Sequence, residues 1–194
     1  MLEHEKKILL TKEEFARLHL WAPEDSKVSI QKNYYFDGDD FQWNRNGVTL
    51  RIREKEGKYT ATVKEHCHCF PEKSVETSML VQNEKDCRLF ENRKVWLQGC
   101  LITQRVTVMI EDNVEVVIDE NHYLDTTDYE LEIEYIPGDK SKETMKKLLE
   151  ELAANVFDGC DYDSLLERSK HSESKSARFF ARLNRLRGER GKCQ

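Results

Sequence analysis

No stretch of this 194-residue chain approaches the run of about 20 apolar residues that crosses a bilayer. No charged-then-apolar leader stands ahead of Glu3, so the expectation is a soluble, cytoplasmic protein with no membrane partner. Positive charge is not in excess either. Lys and Arg number 31 against 37 Asp and Glu, a net charge of -6, which lacks the electrostatic footprint of a nucleic-acid binder. The six cysteines (Cys67, Cys69, Cys87, Cys100, Cys160, Cys193) have no disulfide-framework spacing, as fits reduced thiols inside a cell. Internal repeats and low-complexity tracts are absent.

Hydrophobic residues are also scarce, at 38%, while 35% of the chain is charged. Disorder would account for that balance but predicts few aromatics and no periodicity. Here there are eight Phe, seven Tyr and three Trp, and clear strand patterns. The remaining explanation is a fold whose interior is partly polar, such as a barrel lined with charged side chains.

Thr11-Lys12-Glu13-Glu14 has the form of a capping box, and Phe15 and Leu18 follow at helical spacing, predicting a short helix over 11–20. Strands are expected at 28–36, 48–54, 58–65, 75–81, 101–110, 114–119 and 128–136, with the segment 41–43 too short to assign. Glu56-Gly57 reads as a tight hairpin turn, Asn46-Gly47 as another, Gln98-Gly99 as a separator and Glu120-Asn121-His122 as a turn. A short helical piece is expected near 84–91. Met145, Leu148, Leu149, Leu152, Ala153 and Val156 then switch the period to that of an amphipathic helix. A last helix is expected over 176–186, followed by a frayed tail. Seven or eight strands joined by short turns make a mostly antiparallel sheet.

The first residues, Glu3-His4-Glu5-Lys6-Lys7, place Glu3, Glu5 and Lys7 on one strand face. Alone, such a pattern is the ordinary face of a solvated strand. Three later segments repeat it. Arg51 and Arg53 alternate with Leu50 and Ile52; Thr60, Thr62 and Lys64 alternate with Tyr59, Ala61 and Val63; Glu130, Glu132 and Glu134 alternate with Tyr129, Leu131, Ile133 and Tyr135. Three like charges about 6 to 7 Å apart on one strand repel unless cations sit opposite. If these faces share a lumen, Glu3, Glu5, Glu130, Glu132 and Glu134 meet Lys7, Arg51, Arg53, Lys64 and Arg105. Clustered carboxylates suit hard cations such as Mg²⁺ or Mn²⁺, and clustered Arg and Lys suit phosphate oxygens. A polyphosphate carrying its own metal ions needs both.

These motifs, in order Glu3-x-Glu5-x-Lys7, Leu50-Arg51-Ile52-Arg53, Thr62-Val63-Lys64 and Asp128-Tyr129-Glu130-Leu131-Glu132-Ile133-Glu134, resemble the CYTH superfamily of triphosphate tunnel metalloenzymes. That superfamily includes class IV adenylate cyclases, thiamine triphosphatases and inorganic triphosphatases. Tyr35-Phe36-Asp37, the segment 119–123 and Ser174-Lys175-x-x-Arg178-Phe179-Phe180 resemble its bacterial single-domain branch. The resemblance implies an α+β fold: an eight-stranded antiparallel closed β-barrel, a tunnel, with flanking helices. It implies one tunnel domain over 1–187 and a C-terminal tail over 188–194.

It further implies metal ligands at Glu3, Glu5, Glu130, Glu132 and Glu134, with Mg²⁺ or Mn²⁺ as cofactor. Phosphate contacts would come from Lys7, Arg51, Arg53, Lys64, Arg105, Lys175 and Arg178. Catalysis would rest on Glu5, Glu130, Glu132 and Lys7, with Glu76 and Asp119 as further acids. Which two of the three last-strand glutamates matter most stays open, since the run contains both Glu-Leu-Glu and Glu-Ile-Glu. The expected activity is metal-dependent hydrolysis of a small-molecule triphosphate, with a class IV-type adenylate cyclase or a non-catalytic polyphosphate-binding module as alternatives. Monomer and homodimer are both compatible with the sequence. Two features depart from the family pattern. Gly38 stands where a Thr often follows Tyr-Phe-Asp, and His66-Cys67-His68-Cys69 has no counterpart and lacks the distal pair a zinc site needs.

Overall fold

The computed structural model describes residues 4–67, 70–111, 113–136 and 138–190. In chain order the strands are β1 (His4–Leu10), β2 (Lys27–Asp37), β3 (Val48–Lys55), β4 (Lys58–Cys67), β5 (Phe70–Val81), β6 (Trp96–Met109), β7 (Val114–Tyr123) and β8 (Thr126–Tyr135). The helices are α1 (Lys12–Trp21), α2 (Gln42–Arg45), α3 (Asp139–Asn155), α4 (Tyr162–Lys170) and α5 (Lys175–Arg190). A 3-10 turn at Arg88–Phe90 is all that forms of the helical piece expected near 84–91.

The strands make one eight-stranded antiparallel sheet in the order β1-β8-β7-β6-β2-β3-β4-β5. Strands β1 and β5 end that order, and no β1–β5 pairing occurs among the described residues. The α+β class and the strand count match expectation.

Local chemistry explains most element boundaries. Thr11 caps α1 reciprocally: its hydroxyl accepts from Glu14 N–H while the Glu14 carboxylate accepts from Thr11 N–H. Glu56 and Gly57 both take positive φ, the two-residue hairpin geometry that matches strand twist. Two turn assignments need correction. Residues 120–122 lie inside β7, and the turn comes later at Leu124 and Asp125, with φ of 47° and 56°. Asn121 is buried there because its amide donates to Asp128 Oδ1 at 3.0 Å, so a residue typical of turns is satisfied within a strand. Gln98 and Gly99 likewise lie inside β6. A Cβ on Gly99 would stand 2.9 Å from the Phe179 ring, so glycine serves close packing here rather than a turn. Helix α4 had no forecast, and α5 runs beyond 186 to Arg190.

The chain divides into two compact units. The first comprises Met1–Ser29, Gln104–Asn121 and Thr127–Glu173. In its core, Val114, Val116 and Ile118 of β7 join Leu131 and Ile133 of β8 beneath Met145, Leu148, Leu149 and Leu152 of α3. The alternate positions of those strands carry the polar groups. Arg168 of α4 clamps the unit, donating to both Glu14 oxygens (2.8 and 2.9 Å) and to Leu9 O (2.7 Å).

The second unit comprises Ile30–Thr103, His122–Thr126 and Ser174–Gln194. One cluster packs Leu50, Ile52, Ala61 and Val63 against Phe36 and Phe90. Another gathers Tyr35, Phe41, Leu101 and Tyr123 around Phe179 and Phe180 of α5. Among the described residues no helix is long and apolar enough to cross a membrane.

Candidate functional site

In the first unit, β1 and β8 pair so that Glu5 faces Glu134 and Lys7 faces Glu132. This register brings the opening pentapeptide against the acidic strand. Lys7 Nζ lies 2.8 Å from Glu5 and 2.9 Å from Glu132, with Glu130 at 4.0 Å. Arg105 of β6 forks onto Asp119 of β7 through two hydrogen bonds (2.8 and 2.7 Å) and reaches Glu132 at 2.7 Å. Glu130 and Asp119 are fully buried and Glu132 is 5% exposed, so this acidic face is not a solvated exterior.

One carboxylate oxygen each from Asp119, Glu130 and Glu132 lies within 4.8 Å of the others. The sequence named Asp119 only as a further acid. The structure groups it with Glu130 and Glu132, while Glu134 stands beside Glu5.

Electrostatics sharpen the picture. Lys7 sits among Glu5, Glu130 and Glu132, Arg105 lies between Asp119 and Glu132, and the charges of Glu132 and Glu5 bear on Glu134. Burial works against the charge on Lys7, but Glu132 and Glu5 outweigh it and hold its pKa above the usual lysine range. Burial likewise opposes Arg105, and Asp119, Glu132 and Glu134 overcome it, raising its pKa. Glu134 moves the other way for a carboxyl: burial, then the Glu132 charge, push it up to about 7. A hard divalent cation with oxygen ligands fits that donor set, with Asp119, Glu130 and Glu132 able to contribute.

In the second unit, β3 presents Arg51 and Arg53 on the face opposite Leu50 and Ile52, as the alternation requires. Arg51 Nη2 lies 3.8 Å from Glu76 of β5, and its buried Nε has no hydrogen-bond partner among the described residues. Arg53 Nε donates to Asn33 Oδ1 at 2.9 Å. Lys64 is registered between Thr49 of β3 and Glu76 of β5. Thr62, one row away, is buried and shares a hydrogen bond with Ser78 at 3.1 Å.

At the start of α5, Lys175 is half-buried and Arg178 is 8% exposed. Neighbouring Ser176 accepts from the Thr49 hydroxyl at 3.2 Å. Asn33 and Ser78 were missed in the sequence because neutral polar residues leave no charge pattern, whereas Thr62 was placed on this face by its alternation with Ala61 and Val63. Glu3 lies outside the described residues, as do His68 and Cys69.

A family model described as the CYTH domain matches residues 1–157. A Bacillus subtilis protein named "putative triphosphatase YjbK" is 29% identical over 169 residues, covering 78% of this chain and 87% of its own length. Among solved structures, one from Bacillus halodurans called a "putative adenylate cyclase" aligns with a TM-score of 0.66 and 25% identity, over 93% of this chain and 100% of that one. A Hippeastrum protein, a "putative adenylyl cyclase" described as having a dominant triphosphatase activity, aligns with a TM-score of 0.62 over 86% of this chain and 95% of its own. Its identity is 16%, so the likeness is one of fold.

Proposed function

The chain belongs to the CYTH domain family, and from that premise we propose that it is a divalent-metal-dependent triphosphatase, a phosphoric anhydride hydrolase. The observation that carries this reading is the buried three-acid cluster of the first unit: Asp119, Glu130 and Glu132 each bring a carboxylate oxygen within 4.8 Å of the others, beside Lys7 and Arg105. The name of the Bacillus subtilis relative supports the same activity. In this reading the sheet closes into a tunnel, a single domain over 1–187, that admits a small-molecule triphosphate.

Asp119, Glu130 and Glu132 would hold one cation, with Glu3, Glu5 and Glu134 as the further ligands. Bound there, Mg²⁺ or Mn²⁺ would supply Lewis-acid polarisation of phosphoryl oxygens. Lys7 has two roles. It holds Glu5 and Glu132 in place, and its ammonium is a point charge for a phosphate oxygen. Arg105 is fixed by Asp119, so its fork is oriented before substrate arrives. Arg51, Arg53, Lys64, Lys175 and Arg178 are the remaining phosphate contacts of the proposal, and Arg51 Nε, which has no partner among the described residues, is a donor suited to such an acceptor. Phosphoryl transfer asks mainly for positioning and charge stabilisation, which this inventory supplies. Glu5, Glu130, Glu132 and Lys7 are the residues on which turnover should depend most.

The test is product identification with tripolyphosphate, ATP and thiamine triphosphate in the presence of Mg²⁺ or Mn²⁺. Orthophosphate release, lost in Glu5→Gln, is expected. Cyclic AMP from ATP would instead favour the cyclase suggested by the name of the Bacillus halodurans neighbour. Binding without turnover would reduce the protein to a polyphosphate-binding module.

A further inference from the structure

Asn33 of β2 is the registered cross-strand partner of Arg53 on β3, and its Oδ1 accepts the Arg53 Nε hydrogen bond at 2.9 Å. We propose that Asn33 is a positioning residue, holding the Arg53 guanidinium in a phosphate-binding orientation through an uncharged acceptor. The inference rests on the triphosphatase reading above.

Three observations support it. Asn33 is 1% exposed and sits between Gln31 and Tyr35, both also buried on the same strand face. Its amide therefore cannot swing into solvent, and its hydrogen bond acts in a medium of low dielectric. The acceptor is also an amide. Arg105 shows the alternative within the same chain, a guanidinium fixed by Asp119 and Glu132 at 2.7 to 2.8 Å with its charge largely offset. An aspartate at 33 would fit the same space and bind Arg53 more strongly, but would compete with phosphate for it. Finally, the bond engages Nε, at the side of the guanidinium plane. A fixed Nε sets the orientation of that plane, so less freedom remains to be lost when an oxyanion binds.

The test is calorimetric titration of metal-free wild-type protein and variants with tripolyphosphate, which reads binding apart from turnover. Asn33→Ala should weaken affinity about tenfold, the scale of one hydrogen bond to a charged group. Asn33→Asp, which keeps the shape and adds a negative charge, should weaken it further. In an Arg53→Met background, Asn33→Ala should change affinity by less than about twofold, because nothing remains to be oriented. A residue with a merely structural role would give the same factor in both backgrounds.

Equal factors in the two backgrounds, or Asn33 variants binding like wild type, would overturn the proposal. Thermal unfolding of each variant checks its fold. Should Asn33→Ala not fold, Asn33→Leu, which is close in size, uncharged and unable to accept a hydrogen bond, carries the comparison in both backgrounds. Wild-type protein that fails to bind tripolyphosphate would bring down the triphosphatase reading and this proposal together. Wild-type binding that is weakened by Arg53→Met but indifferent to Asn33 would bring down this proposal alone.

Discussion

Glu132 accepts from Lys7 through one oxygen and from Arg105 through the other, and so ties two cations together. Replacing it leaves both cations short of a partner inside a largely buried site. Glu132→Gln is expected to lower triphosphate hydrolysis by about a hundredfold, the scale of losing one preorganised electrostatic contact, in steady-state phosphate release. Glu134 makes a different prediction. Its folded-state pKa, about 7, lies above the ordinary 4.5, so the folded protein binds its proton more tightly than the unfolded chain does. The stability this contributes is fully present below pH 4.5 and is lost as pH rises through about 7. Metal-free protein should therefore show a falling unfolding midpoint across that window, and Glu134→Gln should flatten the trend.

At the scale of elements, the loop after β2 is built around one carboxylate. Asp37, fully buried, accepts from the backbone N–H groups of Gly38, Trp43 and Asn44 at 2.7, 3.0 and 2.8 Å. Asp37→Ala strands three donors and should destabilise the protein by about 3 kcal/mol in denaturant unfolding, at about 1 kcal/mol or more for each. The Tyr35-Phe36-Asp37 segment thus has a structural role at its last residue. Its first, Tyr35, packs on Phe179 at 4.9 Å.

Helix α5 carries an anchor near its far end as well. Arg187 donates to Asp39 O at 2.6 Å and to Gln98 at 2.8 Å, with its guanidinium 4.2 Å from the Phe41 ring centre. The sequence reading left that arginine in a frayed tail, because a charged residue beyond the last apolar position gives no periodic signal. Helix α4 was missed for a related reason. Its nine residues contribute Leu165 as their one buried side chain, too little for a helical period to emerge.

At the scale of the whole molecule, the proposed metal centre would link metal binding to stability. A cation that binds the folded carboxylate cluster and not the unfolded chain adds RT ln(1 + [L]/Kd), about 2.7 kcal/mol at a hundred times Kd. Mg²⁺ or Mn²⁺ is therefore expected to raise the unfolding midpoint of wild-type protein at pH 7.5, and EDTA to reverse the shift. In Glu130→Gln the metal effect should shrink, since that fully buried carboxylate belongs to the three-acid cluster. A midpoint insensitive to both metals would argue against the proposed centre.

The sequence alone determined which face of each strand is polar. Side chains alternate with a period of two, so Glu130, Glu132 and Glu134 had to share a face once Leu131 and Ile133 were buried. It also determined the start of α1, through a four-residue capping box, and the apolar side of α3, through its 3.6-residue period. All of these are local interactions. Tertiary structure decided the pairings. Periodicity names a face but not a register, so nothing local made Lys7 face Glu132 rather than Glu130 or Glu134, more than a hundred residues away; the β1–β8 alignment did. Likewise, only the approach of β6 to β7 gave Arg105 its partner in Asp119. Charge type and alternation are written along the chain, but distance between distant charges is set by how strands align.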